Sequence, residues 1–571
     1  MSKKNQPAKS TKKEEIRKKT APAGQDMFSN IETWLGARKN FWGIGTVVLS
    51  LLLSLLMFNA KISIGHDDAL YIEAANSYAK NFFTYFYTAN APLYMIFLAL
   101  PIKIWGVNVI ALKLFSVLFF VAGSYFLYRA YVNRIPHLIL FITLLLFSAN
   151  WMALEYASLT YTEAMYLMLQ ALFLWVLNVI SGKMMESPDA SMGELIKKHL
   201  GLWIALGVMF YMLYFTRTVG IGALVVLPLV MLIFRKFKPM MIGAASMILF
   251  TGIFEVLKRV IWSGAPTVSS NQSDILFQKD PYDASQGTED LAGFIDRFWG
   301  NIQVYLSSRF WEILGFREEP SEAIASLAIL TIIPLVAGLL MSISKKQVAV
   351  LNTALYTGAL LFITFVVLQV QWGQGRLVMV FIPMISIVGM YFFYTLFKTE
   401  NLKGFQFIFL LMAAVFLFTG FKTTLGKIKT NIPVAKANLM KGDKFAGYTD
   451  DWKNYLKLSE WCADSLPPEA LVACRKAPMS FVYGKGKLFY AVYRGDETAN
   501  ADSIVAMLKR DKVTHVILAN LRVNPKSSQQ GIINTVHRLL KPIVDKYPES
   551  LEFVRQEGTS EESVLYKFNF K

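Results

Sequence analysis

The sequence predicts an α-helical polytopic membrane protein carrying a soluble α/β domain at its C-terminal end, and three observations predict it. Of the 571 residues, 54% are hydrophobic and only 17% charged, a balance too apolar for a soluble chain of this length. The apolar residues gather in runs of about twenty, the length that crosses a hydrocarbon core. From about residue 424 the long runs stop, and short strand-like and amphipathic helical patterns replace them.

Residues 1–40 form a basic arm, with Lys3, Lys4, Lys9, Lys12, Lys13, Arg17, Lys18, Lys19, Arg38 and Lys39, expected to be solvated, without fixed structure and cytoplasmic. The run 41–60 is the first span, retained as a signal anchor because no convincing small-residue cleavage site follows it. The next apolar piece, 91–106, is short and broken by Pro92, Pro101 and Lys103, so it is expected to lie at the interface. Ten further spans follow, at about 108–130, 135–151, 159–180, 200–216, 219–234, 238–260, 322–343, 349–370, 376–397 and 404–423, making about eleven transmembrane helices between residues 41 and 423.

With that count, Arg129/Arg134, Lys183/Lys197/Lys198, Arg235/Lys236/Lys238, Lys345/Lys346 and Lys398/Lys403 all fall on the side of the basic arm, as the positive-inside rule requires. The Asp67 loop, 155–163, 216–218, the long loop 261–322 and 371–376 fall on the outer side, together with the domain 424–571. In that domain, 470–477, 514–519 and 551–556 read as strands, and 502–510 and 532–546 as helices. Its Cys462 and Cys474 are the two cysteines of the chain, and an exported location leaves open a disulfide between them or two buried thiols. The net charge of +18 is spread through the loops between apolar runs, which excludes a nucleic-acid surface.

Chemistry-bearing residues collect on the outer side. Asp67 and Asp68 open a polar segment directly after the first span. One carboxylate acting as general base with the other orienting it, or a first-turn capping role, both fit such a pair. His66 reads as a structural neighbour, a lone histidine without the company a metal site needs. Glu163 sits just inside a helix start, where a dipole role competes with substrate contact. Arg217 and Arg376 stand at the outer edges of apolar spans, suited to forked hydrogen bonds with phosphate or to snorkelling toward lipid headgroups. Tyr71, Tyr94, Trp151, Tyr156 and Trp372 are outward enough to stack on a sugar ring, and Tyr161 lies beside Glu163.

The run Gly65-His66-Asp67-Asp68-Ala69-Leu70-Tyr71, then Ala91-Pro92-Leu93-Tyr94, a Lys113-bearing span, the Tyr161-Thr162-Glu163 step and Thr216-Arg217 resemble the GT-C membrane glycosyltransferases. The resemblance is to the branch containing protein O-mannosyltransferases and the aminoarabinose transferase of lipid A. It covers about residues 41–423, and the α/β tail resembles the periplasmic domain of bacterial members. The family usually shows Asp-Glu at Asp67-Asp68, and two prolines or Lys-Pro at Ala91-Pro92.

The resemblance implies inverting transfer of a sugar from a polyprenyl-phosphate donor to an acceptor hydroxyl on a glycolipid, surface glycan or protein. The setting would be the outer face of a bacterial cytoplasmic membrane, among membrane lipids and without nucleic acid. Asp67 and Asp68 are then catalytic, Arg217 and Arg376 bind the donor phosphate, and Tyr71, Tyr94, Tyr161 and Glu163 line the substrate. No cofactor is required, while a divalent metal near Asp67/Asp68 stays open. A lipid-linked sugar flippase or a polysaccharide polymerase is the alternative, although the span centres are mostly free of the ionisable residues a transporter places there.

Overall fold

The computed structural model describes residues 26–65, 67–186, 190–268, 276–280, 286–522 and 531–570. The basic arm up to residue 25 and His66 lie outside them. Among the described residues eight helices are long and apolar enough to cross a membrane: Lys39–Met57, Val109–Tyr131, Thr162–Glu186, Met192–Thr216, Phe237–Ile261, Ala325–Ser344, Val348–Val367 and Lys403–Met440. His137–Ser148 and Trp151–Ala157, bent by 57°, make a ninth if taken as one span.

The two other expected spans are broken. The stretch 219–234 is a 3-10 turn followed by a short helix, together Thr218–Ile233, and 376–397 divides into Arg376–Met379 and Ile382–Phe397. Hydropathy counts apolar residues without registering where the backbone leaves the α-helical path, so these pieces score as spans in sequence. Leu93–Trp105, with 13 residues, is too short to cross upright.

The last helix decides the polarity of the bundle. Its α-helical part, Gln406–Met440, has 35 residues and so extends about 52 Å, well beyond a core of about 30 Å. It runs unbroken through residue 424, where composition places the domain boundary; the change to polar residues marks departure from the apolar layer, while the helix goes on. At its start, Phe28 of the helix Met27–Ala37 stacks on Tyr394 at 4.8 Å and donates its amide to Gln406 Oε1 at 3.1 Å. The C-terminal domain follows its other end, so helix Met27–Ala37 and that domain belong to opposite ends of the bundle.

The end of the expected free arm is thus a docked helix. Phe28 and Leu35 are buried, and Glu32 accepts the amides of His137 and Leu138 at 2.7 and 3.0 Å, capping the helix His137–Ser148. Two apolar side chains and a carboxylate suffice to anchor a segment whose charge alone suggests a free tail.

The C-terminal domain is a five-stranded sheet of β1 (Leu471–Cys474), β2 (Phe489–Ala491), β3 (Val513–Ala519), β4 (Leu551–Glu557) and β5 (Ser563–Phe568), in the order β2-β1-β3-β5-β4. β1 runs parallel to β2 and β3, while β5 is antiparallel to β3 and β4. Helices Asp450–Ser465, Ala477–Tyr483, Ala501–Arg510 and Thr535–Lys546 accompany the sheet. The elements expected at 470–477, 502–510, 514–519, 532–546 and 551–556 are present; β2, with three residues, is too short to leave a periodic signal. Cys462 and Cys474 are buried free thiols, and burial pushes them up to about 12 and about 11.

Helix Ala477–Tyr483 packs on helix Asp67–Asn81, Lys61 donates to the carbonyl of Gly447 at 2.7 Å, and the Tyr448 hydroxyl donates to that of Ile62 at 2.6 Å. The sheet domain therefore holds the polar segment that follows the first span.

Candidate active site

Four charged side chains from four parts of the chain meet at the end of the bundle facing the C-terminal domain. Asp67 opens the helix Asp67–Asn81, and its Oδ2 accepts from Arg376 Nη2 at 2.6 Å. Arg376 also donates from Nε to Gln374 Oε1 at 2.7 Å, and its Nη1 lies 3.7 Å from Glu163 Oε1. The same Glu163 oxygen lies 3.2 Å from Arg217 Nη1, an ion pair without hydrogen-bond alignment. Two carboxylates and two guanidiniums thus form a chain of alternating sign, Asp67, Arg376, Glu163, Arg217. Each arginine also covers an aromatic ring, Arg376 over Tyr161 at 4.9 Å and Arg217 over Tyr166 at 5.5 Å.

Backbone irregularities aim these groups. Arg217 follows the helix Met192–Thr216 in an extended conformation, and the turn beyond it folds back so tightly that a Cβ on Gly220 would meet the Leu213 carbonyl carbon at 2.7 Å. Its glycine lets the chain pass that close. Arg376 comes after a turn at Val370–Trp372 with Gly373 in the left-handed region. The two broken spans are the places from which the arginines project.

Exposure separates the roles. Asp67 is 34% exposed at its side chain, whereas Glu163 is 1% exposed and lies between both arginines. Glu163 therefore orders the guanidiniums and offers no accessible oxygen to a substrate. Asp68 is fully buried. Its carboxylate accepts from Ser63 N and Ser63 Oγ, both at 2.9 Å, and from its neighbour Ala69 N. Burial pushes the Asp68 carboxyl up, opposed by the Ser63 amide and the charge of Lys113. It anchors the segment before Asp67, assisted by Lys113, which is buried and donates to Asn59 Oδ1 and the Lys61 carbonyl.

The adjacent aspartates, expected to act together, face different partners: Asp67 meets Arg376 and is partly open, whereas Asp68 is enclosed by Ser63 and Lys113. Among the described residues no three His, Cys, Asp or Glu side chains are grouped as a metal would need.

The tyrosines divide similarly. Tyr71 and Tyr161 pack edge to face at 6.1 Å, and the Tyr161 hydroxyl pairs with Ser63 Oγ at 3.0 Å. Burial, reinforced by Asp67, pushes the Tyr71 phenol up, so it stays protonated. Tyr94 is fully buried, with its hydroxyl on Ser116 Oγ at 2.7 Å, and presents no surface to a substrate. Trp151, expected to face outward, is buried with Nε1 donating to the Glu312 carbonyl at 3.2 Å. Ser63 and Gln374 were not legible as site residues: each acts by touching a charged group that only the fold brings close.

No protein-family model matches the sequence, and no curated protein matches it. Solved structures do: the ArnT of Cupriavidus metallidurans bound to undecaprenyl phosphate aligns with a TM-score of 0.53 at 14% identity, over 92% of this chain and 98% of that one. The fold is that of the GT-C membrane glycosyltransferases. The same ArnT in its apo state gives a TM-score of 0.52 at 14% identity, covering 93% of this chain and 98% of that one. The oligosaccharyltransferase of Archaeoglobus fulgidus, tethered to an acceptor peptide containing the NVT sequon, gives 0.50 at 10% identity over 94% of this chain and 75% of that one. The GT-C fold expected from the motif around Asp67 is thus found along nearly the whole chain, C-terminal domain included.

Proposed function

We propose that this protein is an inverting glycosyltransferase that moves a sugar from a polyprenyl-phosphate carrier to an acceptor hydroxyl at the outer face of the cytoplasmic membrane. The observation that carries this reading is the accessible Asp67 carboxylate at the head of the buried cluster with Arg376, Glu163 and Arg217. The ArnT neighbour was captured with undecaprenyl phosphate, a carrier of the class proposed here.

The acceptor oxygen attacks the anomeric carbon from the face opposite the phosphate while Asp67 takes the hydroxyl proton. The bond from that carbon to the phosphate oxygen breaks, the polyprenyl phosphate leaves with the electron pair, and the configuration inverts. Arg376 and Arg217 stabilise charge growing on the leaving phosphate. A phosphate approaching Arg376 competes with Asp67 for the same guanidinium, so donor binding frees the carboxylate to act as base.

Mass spectrometry of envelope glycolipids and glycoproteins, with and without this chain, tests the reading. One added sugar supports it. Long chains would assign a polymerase, and a translocated but unmodified lipid would assign a flippase.

A further inference from the structure

Beside the acidic segment lies a second charged feature that the proposed chemistry does not use. An open cavity of about 440 Å³ is bounded by Ile64 and Gly65 on one side and by the C-terminal domain on the other, through Trp452, Arg475, Lys476 and Arg538. Three of its lining side chains are cations and none is a carboxylate. Among the described residues, Trp452 Nε1, Arg475 Nε and Nη1, and Arg538 Nε are buried donors without hydrogen-bond partners. Trp452 is 1% exposed. None of the three cations is in an ion pair with a described residue; carboxylates act on two of them without pairing, Asp496, exposed and held by Thr498, on Arg538, and Asp67 and Asp68 on Lys476.

Lys476 reaches across to the domain contact, donating from Nζ to the Ile64 carbonyl at 3.0 Å with its amine over the Trp452 ring at 5.7 Å. Burial and the adjacent Arg475 push its amine down to about 8.

Unpaired buried donors of one polarity, with concentrated positive charge, suit an oxyanion. We infer that Arg475, Lys476, Arg538 and Trp452 form a binding site for a phosphate-class oxyanion, in a cavity whose other wall includes Gly65, two residues before Asp67. Resting on the transferase reading, the site deepens it: the oxyanion belongs to a substrate, held by the soluble domain against the segment that leads into Asp67. Two sources share this chemistry, a phosphate on the acceptor and the phosphate of the carrier.

Inorganic phosphate is titrated onto the purified full-length protein, with the unfolding midpoint and tryptophan fluorescence as readouts. A saturable response is expected, weakened about tenfold or more by Arg475→Gln and by Arg538→Gln and largely restored by Arg475→Lys. The surface control Lys541→Gln leaves it in place, and Arg376→Gln leaves the component that Arg475→Gln removes. The two weakening substitutions stand on different elements, and recovery with lysine excludes misfolding as the cause. The inference is overturned by absence of a saturable response, by loss with Arg376→Gln alone, or by equal weakening with Lys541→Gln.

Repeating the titration with a short-chain polyprenyl phosphate and with a phosphomonoester glycolipid distinguishes the sources. Whichever probe loses affinity in Arg475→Gln supplies the oxyanion, and the inference falls if neither does. Binding is read without turnover, so failure here leaves the transferase reading standing, and intact phosphate binding without sugar transfer does the reverse.

Discussion

Replacing Glu163 with glutamine keeps the shape of the cluster and removes the charge between its two arginines. At 3.2 Å from Arg217 and 3.7 Å from Arg376, the carboxylate attracts them by about 5 and about 4 kcal/mol at an effective dielectric of about 20. The desolvation of three buried charges offsets much of that sum, and the observed cost of breaking a buried pair is about 3–5 kcal/mol. Glu163→Gln is therefore expected to lower unfolding stability by about that amount in a denaturant titration of the detergent-purified protein. A short-chain polyprenyl phosphate should stabilise the variant more than the wild type, because its phosphate meets Arg217 without its carboxylate and Arg376 paired with Asp67 alone. A loss under about 1 kcal/mol, the scale of an exposed pair, with equal stabilisation by the lipid, would refute the reasoning.

Asp67→Asn is expected to slow sugar transfer by about 10²–10⁴-fold in a single-turnover assay. It should change stability by no more than about 1 kcal/mol, because Asp67 is 34% exposed; a wild-type rate would remove Asp67 from the chemistry. Arg376→Ala is expected to raise the KM for the polyprenyl-phosphate donor about tenfold or more while the protein still inserts, and an unchanged donor dependence would reduce Arg376 to a headgroup contact. Glu73, in the helix begun by Asp67, is pushed by burial from 4.5 up to about 7. A carboxyl raised in the folded state binds more protons than its unfolded counterpart, so its contribution is complete at low pH and is lost as pH rises from about 5 to about 8. The loss reaches at most about 3 kcal/mol. Glu73→Gln should flatten that slope, which stability measured at several pH values checks.

Hydropathy is a local property, and what depends on it was legible. Apolar runs mark the spans, and alternating residues mark β1, β3 and β4. The segment after the first span carries Asp67, and Arg217 and Arg376 are visible as cations at span edges. Other features depended on contacts between segments remote in sequence. Residues 1–40 look uniformly solvated by charge, yet Phe28 and Glu32 dock the end of that stretch. Asp68 is chemically indistinguishable from Asp67 in sequence, but Ser63 and Lys113 enclose one while the other stays open.

The order of residues by itself determined a membrane bundle, a soluble C-terminal domain and a short set of charged candidates, because bilayer thickness and strand pleat impose repeat lengths within continuous segments. Only the tertiary structure decided that Arg376 grips Asp67 across 309 positions, that Glu163 serves the arginines, and that Arg475, Arg538 and Trp452 share one cavity. Such juxtapositions follow from how helices rotate and stack against one another, and Coulomb interactions act over distances in space, with no regard to separation along the chain.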